Sequence, residues 1–191
     1  MSRRVRRLGL LALILLLLGM VALVVTGRAR LEDDRTRVDE RWAAVRAPLG
    51  ARYDQLSVVL EQLEQAGAGD RDVARDLQRE LTRWERLLRS RGDNVDAGGE
   101  AAASNRLEAL AARASSSVTN SASLSTIAPL VDAVSVLGQT LPPVEAVTAY
   151  NDAAERYQRT RESLRYTLAA RILGYDARPA LVAPSSPAAP S

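Results

Sequence analysis

The sequence predicts an all-α protein, an N-terminal transmembrane helix followed by an antiparallel bundle of three to five helices. Three observations predict it. Nineteen consecutive residues near the N-terminus carry no charge. Beyond them, apolar residues recur in steps of three and four, the period of one helical face. No stretch alternates with period two well enough to read as a strand.

The uncharged run, Leu8 to Thr26, reads LGLLALILLLLGMVALVVT. At ~1.5 Å per residue it extends about 28 Å, close to the hydrocarbon thickness of a bilayer. A buried core helix is seldom apolar all round over that length. The expectation is therefore a bilayer-spanning anchor over residues 8–27, with lipid as its partner. A cleaved signal peptide shares the basic start, but its apolar run is only about 7–15 residues and ends at a small-x-small site. Here the exit Val25-Thr26-Gly27-Arg28-Ala29 makes a poor cleavage site. Arg3, Arg4, Arg6 and Arg7 in the flank 1–7 precede the span, and a positive flank stays in the cytoplasm. The domain is expected to face outward from a single-pass cell-membrane anchor.

The bundle is expected over residues 28–175. Its first face is Leu31, Val38, Trp42, Val45, Leu49, Tyr53, Leu56, Leu60 and Leu63, interrupted by Pro48, where an interior proline predicts a kink. Ala66-Gly67-Ala68-Gly69 is a stop signal. Asp70 or Asp72 caps a second helix, about 71–91, with Val73, Leu77, Leu81, Trp84, Leu87 and Leu88 inward and a Glu85–Arg89 pair outward. Arg91 to Gly99 reads as a turn; its Asp93, Asn94, Asp96 and Glu100 do not meet the ligand spacing of a calcium loop. An Ala-rich third helix starts near Glu100 and enters a Ser/Thr-rich stretch, Ser115 to Thr126, that either continues or breaks it. Leu130, Val131, Val134, Val136 and Leu137 resume an apolar face, closed by Pro142-Pro143. The last helix, about 143–173, places Val147, Tyr150, Ala154, Tyr157, Leu164, Leu168 and Ile172 on one stripe broken by Arg161. Residues 176–191 are rich in Pro, Ala and Ser and read as a disordered tail.

Composition narrows the chemistry. The chain has no Cys, no His and no Lys, so all 26 basic residues are Arg. Thiolate and imidazole metal sites, Ser-His nucleophiles and Ser-Lys dyads are excluded together. Carboxylate pairs such as Asp33-Asp34 and Asp39-Glu40 lie among arginines on a solvated helix, with no phosphate loop and no serine elbow nearby. No cofactor, metal or catalytic residue is expected, and the protein reads as non-enzymatic. The basic pI of 9.8 belongs to the N-terminal flank: residues 28–191 hold 22 Arg against 23 acids. Interleaved charge of that kind is no footprint for nucleic acid.

Two segments resemble the LemA family of bacterial anchored helical proteins. The first is Val38-Asp39-Glu40-Arg41-Trp42-Ala43-Ala44-Val45, then Leu49 and Arg52-Tyr53-Asp54, similar to that family's first long helix. The second is Tyr150-Asn151, Tyr157-Gln158 seven residues on, then Gly174-Tyr175 and Arg178-Pro179, similar to its repeated Tyr-Asn pair, Gly-aromatic close and Arg-Pro exit. Gln55-Leu56-Ser57-Val58-Val59 departs from the family's Leu-Ile-Pro-Asn-Leu, as do Gln158 for a second Asn and Arg165 for a Pro. The resemblance implies a single-pass, mostly helical bundle, with some relatives linked to membrane shaping.

The expected function is a scaffold or interaction protein that organises the membrane surface or a protein partner, with a homo-oligomer as one form of it. The alternatives are a ligand-sensing ectodomain and a secreted helical protein. The candidate interaction or ligand residues are Tyr150, Asn151, Tyr157 and Arg161; core packing of the two tyrosines is the simpler reading.

Overall fold

The computed structural model describes residues 3–69, 71–89 and 96–183, without the side chains of residues 3–26, 164, 165 and 168. Six helices are present among them: α1 (Arg3–Gln65), α2 (Asp72–Arg89), α3 (Ala97–Thr119), α4 (Ala128–Gln139), α5 (Val144–Glu162) and α6 (Leu164–Leu173). The all-α class is as the sequence predicts, with one helix more than its upper bound. The side chains of residues 8–26 of the expected anchor, 8–27, lie outside the described set. Among the residues whose side chains are described, no helix is long and apolar enough to cross a membrane.

α1 is the axis of the bundle, and the other helices pack around it. Its 63 residues run continuously through Pro48, about 94 Å end to end. All nine residues of the predicted stripe, from Leu31 to Leu63, are buried. Gly67, in the left-handed region, ends the turn after α1: Ala68 N–H reaches Leu63 O at 2.8 Å and Gly67 N–H reaches Glu64 O at 2.9 Å. These two bonds satisfy the last carbonyls of the helix. α2 then folds back, and Trp84 meets Tyr53 edge-on at 5.0 Å.

The Ser/Thr-rich stretch is shared between helix and turn: α3 continues to Thr119 and residues 120–127 make the turn. α3 runs parallel to α1, because Arg46 pairs with Glu100 and Arg52 with Glu108. α5 runs the other way, with Trp42 against Tyr150 at 5.2 Å and Thr160 donating to Asp34 at 2.7 Å.

Two expectations for the C-terminal third need correction. The last helix is not continuous over 143–173, because Ser163 adopts extended backbone (φ −63°, ψ 139°) between α5 and α6. Its hydroxyl donates to Thr160 O at 2.9 Å, the local competition by which serine interrupts a helix. The break resets the helical phase, so Ile172, expected on the buried stripe, is 61% exposed while Ala169 and Ala170 are buried. α6 packs on α1 at Gly27, where an added Cβ would come within 3.1 Å of Tyr166 Cδ1. The second correction concerns the tail. Residues 176–183 do not trail away but lie along the helices, with Arg178 and Leu181 buried. Residues 184–191 of the expected tail are outside the described set.

Candidate functional site

The segment Tyr175 to Val182 forms an extended strap seated in a groove between α1, α3 and α5. Gly174 starts it. With φ at +69° this residue ends α6 in the left-handed region, and Tyr175 N–H returns to Ala170 O at 2.9 Å. The chain thereby reverses and runs back beside α5.

Helical spacing on α5 places one polar group after another against the strap. The Arg161 Nε donates to Tyr175 O at 2.9 Å, the Tyr157 hydroxyl to Asp176 O at 2.9 Å, and the Tyr150 hydroxyl to Pro179 O at 2.9 Å. Asn151 takes both polar groups of Leu181: its Nδ2 donates to the carbonyl at 3.0 Å and its Oδ1 accepts the amide at 2.7 Å. From the opposite side, Asn105 on α3 donates to Ala180 O at 2.8 Å and accepts from Val182 N–H at 2.8 Å. An extended chain presents alternate peptide groups to its two edges, and here a carboxamide stands on each edge where a neighbouring strand would otherwise pair.

All four sequence-predicted residues are thus brought to one place. The rings of Tyr150 and Tyr157 are core, and their hydroxyls, with Asn151 and Arg161, hold the chain's own C-terminal segment. None of the four lines the groove of about 390 Å³ between α1 and the end of α2, which is bordered by Asp39, Trp42, Ala43, Arg46, Ala47, Gly50 and Leu88. Gln158 makes no hydrogen bond to the strap; its amide nitrogen donates to Glu162.

Side-chain seats add to the backbone grip. The Tyr175 hydroxyl donates to Glu32 Oε2 at 2.6 Å, and Arg35 lies over the Tyr175 ring, 5.9 Å from its centroid. Arg178 is buried against Asp39 (3.3 Å) and Asp96 (3.7 Å). Its Nε and Asp39 Oδ1 nevertheless lack the alignment of a hydrogen bond, and both are buried without another partner. Burial pushes the Asp39 carboxyl above the usual aspartate range, against the pull of Arg178 and Arg35. Burial likewise raises Tyr150 and Tyr157, and raises Tyr175 with help from Glu32.

Several of these partners escaped the sequence reading. Asn105 and Gly98 lie in the weakly patterned α3. Gly98 is required by close approach: a Cβ there would stand 2.7 Å from Arg178 Nη1 and 2.9 Å from Ala177 O. Two buried ion pairs tie α3 to α1 beside the groove. Glu100 accepts from Trp42 Nε1 at 2.7 Å and from Arg46 at 2.8 Å through two nitrogens. Arg52 grips Glu108 at 2.8 and 2.9 Å and donates to Leu137 O and Thr140 O at the end of α4. The legible signal was a set of acids, Glu100 and Glu108, at helical spacing among the alanines of α3.

What this arrangement does chemically is hold peptide. Among the described residues no group of three or more acids is placed to hold a metal ion. Comparison with family models, with curated proteins and with solved structures returns no match for this chain.

Proposed function

We propose that this protein is a non-enzymatic, membrane-anchored helical scaffold, a divergent relative of the LemA family that holds an interaction domain outside the cytoplasm. The observation that carries the reading is the continuity of α1. The uncharged run 8–26 and the buried stripe from Leu31 to Leu63 belong to one helix, Arg3–Gln65, so an anchor over that run would share a single rod with the core of the domain. A rod of that kind fixes the domain's direction and its distance from the bilayer. The flanking Arg3, Arg4, Arg6 and Arg7 favour a cytoplasmic N-terminus.

Two features support an interaction role. Exposed apolar side chains, Val131, Val136, Leu141 and Val144, cluster on and after α4. The polar groups that a small-ligand site would use, on Tyr150, Tyr157 and Arg161, are instead engaged by the strap, which weighs against the sensing alternative.

Protease protection on spheroplasts expressing the chain with a C-terminal tag tests the reading. A membrane-bound, full-length protein whose tag is lost to external protease is the expected outcome. A protected tag reverses the orientation, and a shortened, soluble product replaces the anchored scaffold with a secreted protein.

A further inference from the structure

The strap is held as a peptide ligand is held. Five of its residues, Tyr175, Asp176, Pro179, Ala180 and Leu181, are bound through their carbonyls by side chains of α3 and α5, and Leu181 and Val182 through their amides as well. Contacts to backbone read extended shape and not sequence; sequence is read by the seats for Tyr175, Arg178 and Leu181. The groove therefore recognises an extended peptide of the pattern Tyr-x-x-Arg-Pro-x-Leu, carried here by residues 175–181. Pro179 fits such a ligand because it has no N–H to satisfy.

The seat does not require its occupant to come from the same chain. The strap's link to α6 is Gly174, whose surroundings are open, with nothing within 4 Å of an added Cβ. Because Tyr175 is the first residue after that link and is itself seated, exchange places the Gly174 residues of the two copies side by side.

We infer that the α1/α3/α5 groove is a peptide-binding site and that its occupant in trans is the strap of a second copy, exchanged about Gly174. Every contact of the closed chain is reproduced between two copies, so exchange costs little beyond association. Anchoring in one bilayer supplies the local concentration. This deepens the scaffold reading and rests on it for the side-by-side arrangement of copies. Protease protection reads the anchor and crosslinking reads the exchange, so either can fail alone.

The natural absence of cysteine makes the test direct. Full-length chains carrying Asn105→Cys and others carrying Ala180→Cys are mixed in one membrane and oxidised. The expected product is a disulfide-linked dimer of the two different chains, lost when the second chain also carries Arg178→Ala. A chain with both substitutions reports whether its strap lies on its own α3. An internal crosslink there, with no dimer from the single-cysteine chains, overturns exchange. No crosslink in either overturns the seat itself. Because Asn105→Cys removes one clamp, a second arm leaves the groove intact: a fluorescent peptide of residues 174–183 is added to the full-length Leu181→Ser chain. Saturable binding, at least tenfold tighter than to the unsubstituted chain, is expected, and no saturable binding overturns the proposal. Should Asn105→Cys lose its helical circular dichroism, this arm decides alone.

Discussion

Asn151 grips Leu181 at both of its backbone polar groups, donating to the carbonyl at 3.0 Å and accepting from the amide at 2.7 Å. One side chain on α5 thereby does for the strap what a paired strand does in a sheet. Asn151→Ala removes both bonds at once. The loss is expected to weaken strap seating by about 1–3 kcal/mol, the range for partly buried groups left unpaired. The readout is hydrogen exchange at Leu181 and Val182, which should quicken by roughly five- to 150-fold while amides of α1 keep their protection. Unchanged exchange at Leu181 would show that Asn151 does not hold the strap.

The buried pair Arg52–Glu108 gives a second prediction. Arg52 is 2% exposed and bridges three elements: α1, through its own backbone, Glu108 on α3, and the carbonyls ending α4. Arg52→Ala leaves an unpaired buried carboxylate and two unpaired carbonyls, and is expected to cost about 3–5 kcal/mol by denaturant unfolding. Joint replacement, Arg52→Met with Glu108→Leu, removes the stranded charge and should recover part of that loss. Full recovery would mean that the α4 carbonyls gain nothing from Arg52.

The legibility of the fold follows from what periodicity encodes. Apolar residues at steps of three and four marked nine buried positions of α1 from Leu31 to Leu63 and missed Val59, because burial on a long helix repeats with its turn and Val59 flanks the stripe beside Leu60. The same logic failed past Ser163, where one residue of extended backbone shifted the phase and left Ile172 outside. Of the candidate residues on α5, Tyr150, Asn151 and Tyr157 were legible from a seven-residue repeat and a family resemblance, and Arg161 from its break in the apolar stripe. Their common partner was not. Composition marks Pro, Ala and Ser as unable to build a core, but residues 176–182 borrow one, through hydrogen bonds to helices up to 77 positions away in sequence. Pairings of that kind, like Asn105 with Val182, leave no periodic trace.

Gly98 supplies a prediction that separates the strap from the helix beneath it. The residue lies in the first turn of α3, where replacing glycine by alanine favours helix by up to about 1 kcal/mol. The added Cβ would nevertheless lie 2.7 Å from Arg178 Nη1 and 2.9 Å from Ala177 O. Gly98→Ala is therefore expected to keep or raise helical circular dichroism while freeing residues 177–182 to hydrogen exchange. A chain that accepts alanine with the strap amides still protected would show that the backbone yields at this crossing.

Alkaline titration tests the tyrosine contacts together. The hydroxyls of Tyr150, Tyr157 and Tyr175 each donate a hydrogen bond that holds the strap, and ionisation would remove the donated proton. Burial is the leading cause that raises all three above the ordinary value of 10, with Glu32 adding to it at Tyr175. Below pH 10 the hydroxyls are neutral in the folded and unfolded chain alike, and their contribution to stability is fully present. Above pH 10 the unfolded chain ionises first, so that stability is lost as the pH rises through the raised folded values. Ultraviolet difference absorbance should place these tyrosines above 10, with quickened exchange of the strap amides accompanying their ionisation. Tyr150→Phe should move the absorbance amplitude by one tyrosine and weaken the strap by about 0.5–1.5 kcal/mol at neutral pH, the net worth of one hydrogen bond. Titration at the ordinary value, with the strap protected until the helices themselves unfold, would remove the three hydroxyls from the account of how the strap is held.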